Sequence, residues 1–265
     1  MKQFGKLIGL CLEEIMFYKT AFLINLLTPA VLLGGQFLLW RALFNMNDSG
    51  VIGVYTRAEM YTFIILAFAI NNLFTWSSDN RLSREIRSGV IAVRFIRPVP
   101  FLMQSSAELV GFLIPQAIVN FSIVGFVFIL FGSHLIAPSF HTLILSIVSL
   151  ILGLALRIMM TSCLSLICFY TTSHHGLAWT KTAITEFFSG ALIPVSLFPG
   201  WLATISYYTP FPLMLQVPIS IFLDESTALP IGVTFLLQLV WILVFLVLHQ
   251  LLYHRIRKNV IFAGG

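Results

Sequence analysis

Long apolar runs separated by short polar breaks recur along the whole chain. Six of them, near residues 20–44, 58–76, 104–131, 141–170, 182–205 and 229–253, have the length of a membrane helix. Such a helix needs about 20 mainly apolar residues to cross a hydrocarbon core of about 30 Å at a rise of about 1.5 Å per residue. The runs are continuous rather than alternating, which sets aside a transmembrane barrel. Ahead of the first run, Phe4, Leu7, Ile8, Cys11, Leu12 and Ile15 recur at steps of three and four, with Lys2, Lys6, Gly9 and Glu13 opposite them. That periodicity predicts an amphipathic helix over 2–18 lying along a membrane surface. The pattern defines an all-α integral membrane protein, one transmembrane domain over 1–265, with six transmembrane helices and an interfacial amino-terminal helix.

The fifth run departs from a plain span. Pro194, Pro199, Pro210, Pro212 and Pro218 fall within 186–223, together with Gly190 and Gly200. Each proline removes a backbone donor and kinks or ends a helix. Broken backbone at membrane depth is tolerated only where protein or water surrounds it. The sequence therefore predicts a span that breaks near Pro194, followed by short re-entrant or interfacial helices.

Composition closes the alternative of a soluble protein. Of 265 residues, 58% are hydrophobic and 9% charged, against roughly 45–50% and about 25% in ordinary globular chains. The placement of charge sets the orientation. With the amino terminus inside, the inner segments hold Lys2, Lys6, Lys19, Arg81, Arg84, Arg87, Arg94, Arg97, Lys181, Arg255, Arg257 and Lys258, while the outer ones hold Arg41 and Arg57. Both termini are thus expected on the cytoplasmic side. Trp40 and Trp201 then fall near the outer boundary and Trp76 and Trp179 near the inner one. Trp241 lies mid-span, where packing must hold it.

The start of the chain carries Glu13 and Glu14 where a signal peptide would be apolar, so the protein is expected to begin near Met1. Cys11, Cys163 and Cys168 suggest apolar fillers rather than a disulfide framework or metal site. Adjacent His174 and His175 face apart on a helix. No G-x-x-x-x-G-K-[ST], H-E-x-x-H or G-x-S-x-G occurs, so the sequence offers no nucleotide loop, zinc-protease motif or nucleophile elbow of its own. Nucleic acid is not an expected partner; membrane lipid is.

Two places hold candidate function. The longest polar stretch, 77–103, is cytoplasmic in this orientation. Asp79 as N-cap and Gly89 just past the end bracket a short helix near 80–88. Leu82 and Ile86, four apart, share a face suited to a partner's groove, with Arg84 and Arg87 elsewhere. Arg97-Pro98-Val99-Pro100 then forces an extended turn. The second place is Arg157, near the middle of the fourth run, where a cation costs about 2.5–3.5 kcal/mol on insertion scales and should face the bundle or a cavity. Glu108 and Glu186, acidic residues within runs, both sit too near the ends to meet it.

The stretch SGVIAVRFIRPVP, the stretch FFSGALIPVSLFPGWL followed by YYTPF, and the opening EEIMFYKTAFLINLL with FLLWRALF resemble segments of the permease subunits of type-2 ATP-binding-cassette exporters, in a six-span subclass. The resemblance covers most of the chain and rests on the order of these segments more than on any one. It implies a permease that is not itself an enzyme and holds no cofactor. ATP and magnesium would sit on separate ATPase subunits, and the permease would pair with a second copy or with a homologous permease in the cytoplasmic membrane of a bacterium. It also implies that 80–88 is the coupling helix, with Leu82, Arg84, Glu85, Ile86 and Arg87 as docking residues. Ser189, Gly190, Pro194, Pro199 and Gly200 would shape an outer gate, and the cargo would be an amphiphile such as a drug, an antimicrobial peptide or a lipid-like molecule. A transporter driven by an ion gradient is the alternative, but it would need ionisable groups near the midplane, and Arg157 alone qualifies. An intramembrane enzyme or scaffold is the third reading.

Overall fold

The structure, a computed structural model, describes residues 19–47, 50–73, 85, 91–132, 135–167, 174–225 and 229–259. The expected interfacial helix at 2–18 lies outside the described residues, as do Leu82, Arg84, Ile86 and Arg87.

The described chain is helical almost throughout. Helix α1 runs Lys19–Met46 and is followed by a two-stranded hairpin, β1 Val51–Ile52 and β2 Tyr55–Thr56, paired antiparallel with Ile52 opposite Tyr55. Helix α2 runs Arg57–Asn71 and α3 runs Ile91–Ile96. The long helices α4 (Phe101–Phe131) and α5 (Phe140–Ile167) come next. Helix α6 (His174–Phe188) leads into a broken segment holding α7 (Gly200–Tyr208) and α8 (Gln216–Phe222), and α9 (Ile231–Asn259) closes the described chain. Among the described residues, three stretches are long and apolar enough to cross a membrane: Phe101–Ile129, Phe140–Ile167 and Ile231–Arg257.

Local sequence explains where α2 begins. Glu59 stands three residues after Thr56; its N–H donates to the Thr56 hydroxyl at 3.4 Å, while its carboxylate accepts the Thr56 N–H at 2.7 Å. This reciprocal capping box satisfies two otherwise unpaired donors. Arg57, next in line, donates to the Phe44 carbonyl at 3.3 Å, so the hairpin is tied to the end of α1.

Polar residues hold the interior together. Gln238 of α9 is fully buried and donates to the Ser149 carbonyl and hydroxyl, both at 3.0 Å, and to the Leu213 carbonyl at 2.8 Å. Ser146 donates to the Pro218 carbonyl at 2.7 Å. Ser146, Ser149 and Gly153 lie on one face of α5, and small residues there allow backbone to approach backbone. At Gly153 the approach is close: a Cβ would stand 3.0 Å from the Leu213 carbonyl oxygen and 3.1 Å from the Met214 Cα. The 3-10 turn Pro212–Met214 therefore lies against the midpoint of a helix long enough to cross a membrane.

Two expectations need correction. The fifth run is expected to break near Pro194, and its helix ends earlier. Helix α6 starts at His174 and stops at Phe188, because Gly190 takes a left-handed φ of +87°; the helix ends ahead of Pro194. Sequence position puts Trp40 at a membrane boundary, but it is 6% exposed and packs with Phe44 and Phe63 in the core around α2. Trp201 and Trp179 are exposed, and Trp241 donates its indole N–H to the Tyr208 carbonyl at 3.0 Å.

Candidate functional site: a polar knot, an ion lock and a membrane-family scaffold

The hairpin end of the bundle is organised by Gln216, which is 1% exposed at the start of α8. Its Oε1 accepts the Val195 N–H at 3.2 Å, and its Nε2 donates to the hydroxyls of Tyr55 and Ser220, each at 3.1 Å. Ser196 donates to the same Tyr55 hydroxyl at 2.9 Å. One amide thus joins the hairpin, the 3-10 turn Val195–Leu197 and α8. Burial first, then the charge of Glu225, raises Tyr55 far above its ordinary value, so its hydroxyl stays protonated.

The five gate residues expected from the sequence fall around this knot with different environments. Ser189 is buried, and its N–H donates to the Thr185 carbonyl at 2.8 Å. Gly190 faces Gln216 directly: a Cβ there would stand 2.5 Å from Oε1. Pro194 is buried and precedes the turn to which Gln216 binds. Pro199 and Gly200 are exposed; the Pro199 carbonyl accepts the N–H groups of Leu202 and Ala203 at 2.8 and 2.9 Å and so starts α7. Gly190 and Pro194 thus meet the knot, whereas Pro199 and Gly200 build the helix beyond it. Sequence reasoning missed Gln216, Tyr55 and Ser196. The Thr56-Arg57-Ala58-Glu59 box was a legible signal for the hairpin boundary, but no local spacing points to the long-range amide.

Between α8 and α9, outside the long helices, Ser220 donates to Glu225 at 3.1 Å and the Tyr55 hydroxyl also bonds to it. Burial nevertheless dominates and raises the Glu225 carboxyl from an ordinary 4.5 to about 7, with the charge of Glu59 adding to the rise. The folded state therefore binds this proton more tightly than the unfolded one. Stability should fall as pH rises from about 4.5 to about 7, since the slope follows the excess of protons bound when folded. The midpoint of thermal unfolding in detergent is expected to drop between about pH 5 and about pH 8, and Glu225→Gln should remove most of that drop. An identical pH profile in the variant would refute the assignment.

At the opposite end, Arg94 of α3 is 5% exposed and bonded to two carboxylates. Its Nη2 lies 2.8 Å from Glu85 Oε1 and 2.7 Å from Glu108 Oε2, and its Nε bonds the other Glu85 oxygen. Burial works against the charge, but the bond to Glu85 and the presence of Glu108 outweigh it and leave the guanidinium pKa raised. Gln104 adds a backbone clamp, donating to the carbonyls of Arg94 at 2.9 Å and Val99 at 2.8 Å. Glu85, assigned to docking by resemblance, thus turns to Arg94; Glu108, too shallow for Arg157, completes the lock. Arg157 itself donates to Asn71 Oδ1 at 3.5 Å, bringing α5 against the end of α2.

Helices long enough to span a bilayer, a 3-10 turn packed at the midpoint of one of them, and buried polar ties between helices define a multi-pass membrane protein. The particular family follows from comparison with known families: the ABC-2 family transporter protein model matches residues 30–259, and the chain belongs to that family. No characterised protein matches it at a significant level.

Proposed function

We propose that this chain is the membrane-spanning permease of an ATP-driven exporter in the cytoplasmic membrane of a bacterium, moving an amphiphilic substrate outward. The carrying observation is membership of the ABC-2 family; in this reading ATP and magnesium sit on an ATPase partner. The permease would work as a pair, with a second copy or a homologous permease. The positive-inside distribution supports six spans with both termini cytoplasmic, which puts the ion lock inside and the polar knot outside.

In this reading the loop around 80–88 is the coupling element. The lock supports it physically: Arg94 fixes Glu85 to Glu108 of α4, so a push on the loop reaches a long helix without slack. The turn at Pro212–Met214, held against Gly153, supports a re-entrant segment, and the Gln216 knot supports a gate that opens by parting the hairpin from α8. Leu82→Asp and Ile86→Asp are expected to abolish co-purification of the ATPase while the permease still elutes as a folded species. Undiminished co-purification would refute the coupling assignment.

A further inference from the structure

A cavity of about 350 Å³ lies beside the polar knot, walled by the hairpin, α2, α7, α8, the turn after α8 and α9. Its volume falls at the lower end of the range for small-molecule sites, about 300–1,000 Å³. One part of the wall is apolar, with Leu213, Val217 and Leu223; another carries the hydroxyls of Tyr207, Ser220 and Thr234. Three carboxylates, those of Glu59, Asp224 and Glu225, complete the lining, and no lysine or arginine is among the lining residues. Glu225 Oε1 is shut off from solvent and faces no hydrogen-bond donor among the described residues. A buried acceptor left in this way costs about 1–3 kcal/mol, and more when charged.

We propose that this cavity binds the cationic head of an amphiphile, an ammonium or guanidinium group, with its apolar part against Leu213 and Val217. The partly open, half-apolar volume carries the inference; the carboxylates then decide the sign of the charge. A bare metal ion does not fit the lining, since no three metal-ligating side chains converge among the described residues. A cation needs acceptors, and the carboxylate-bearing residues Glu59, Asp224 and Glu225 of the lining supply them. An anionic head would face three carboxylates and no compensating cation, which repels it at close range. A neutral head would leave the carboxylate unmatched. As a statement about substrate this rests on the exporter reading, which gives the cavity its outward position; as a statement about binding it does not.

The test uses the full chain in phosphatidylcholine nanodiscs at about pH 8, where the Glu225 carboxyl is ionised. Octylammonium, octanol and octyl sulfate are titrated by calorimetry, with empty nanodiscs subtracted. Saturable binding of octylammonium alone is expected, weakened about tenfold or more by Glu225→Gln, in line with loss of a charge-assisted bond. The variant must keep its unfolding midpoint, and Glu59→Gln should weaken binding less, because that carboxylate is already held by Thr56. Equal binding of the three probes, or octylammonium binding unchanged in Glu225→Gln, overturns the proposal. A lipid ammonium headgroup offers the same chemistry, so the titration is repeated with phosphatidylethanolamine in the disc. Competition there assigns the site to lipid, and none assigns it to a free amphiphile. Failure to bind with the ATPase still co-purifying would sink this site and spare the exporter reading; binding without any ATPase partner would do the reverse.

Discussion

Arg94→Ala is expected to destabilise the protein by about 3–5 kcal/mol, the range for breaking a buried ion pair by removing one partner. The cost arises less from the lost attraction than from the two acids left behind. Glu85 and Glu108, each with a side chain 19% exposed, would lose the guanidinium that joins them. They would have to take up a proton or move apart. Moving apart releases the loop from α4, so the proposed coupling should fail even in molecules that still fold. Expression in membranes, the unfolding midpoint and substrate-stimulated ATP hydrolysis of the assembled complex would all be read.

Arg94→Lys separates charge from geometry. A lysine restores one positive charge but cannot present the planar fork that meets two carboxylates at once. It should recover most of the stability and less of the coupling. Adding Glu108→Gln to Arg94→Ala removes one of the two opposed charges and should return part of the loss, a non-additivity that marks a shared network. Arg94→Ala with an unfolding midpoint and coupling like those of the parent would show that the lock is ornamental.

The long helices were legible because the bilayer imposes a length rule on any chain that crosses it. The runs beginning near 104, 141 and 229 correspond to α4, α5 and α9 for that reason. Position relative to other helices is beyond such a rule. Arg94 reads as one more arginine in a basic loop, and nothing local says that it meets Glu108 beyond a turn with two prolines. Tyr55 and Gln216 lie 161 residues apart, and Tyr55 occupies a stretch that reads as a polar break between runs. The break in the fifth run was legible as a region, because prolines cluster there. Its start was not, because Gly190 ends the helix by a backbone conformation and a close contact, while the prolines shape the turns and short helices after it. The cost of a buried cation sends Arg157 to the interior, and the Asn71 contact puts it between α5 and α2.

The two glycines of the SG-IP-FPG stretch should respond very differently to alanine. Gly200 has open space where a methyl group would stand and opens α7, where alanine is a better helix former by up to about 1 kcal/mol. Gly200→Ala should leave folding and transport unchanged. Gly190 combines two obstacles. Its φ of +87° is strained for any residue with a Cβ, at about 1–3 kcal/mol. The added methyl would also press on Gln216 Oε1 at 2.5 Å, and that side chain cannot swing aside without breaking its bonds to Val195, Tyr55 and Ser220. Leaving such buried groups unpaired costs about 1–3 kcal/mol more. Gly190→Ala is therefore expected to cost about 2–6 kcal/mol, the sum of the two effects, and to part the hairpin from α8. Combining it with Gln216→Ala removes the clash but keeps the backbone strain, so the double variant should lose less than the two single losses added together. If the losses simply add, the methyl and the amide do not meet, and the knot is not what fixes Gly190. If Gly190→Ala matches Gly200→Ala, the left-handed turn is not a requirement of the folded state, and the gate assigned to this segment has no structural basis.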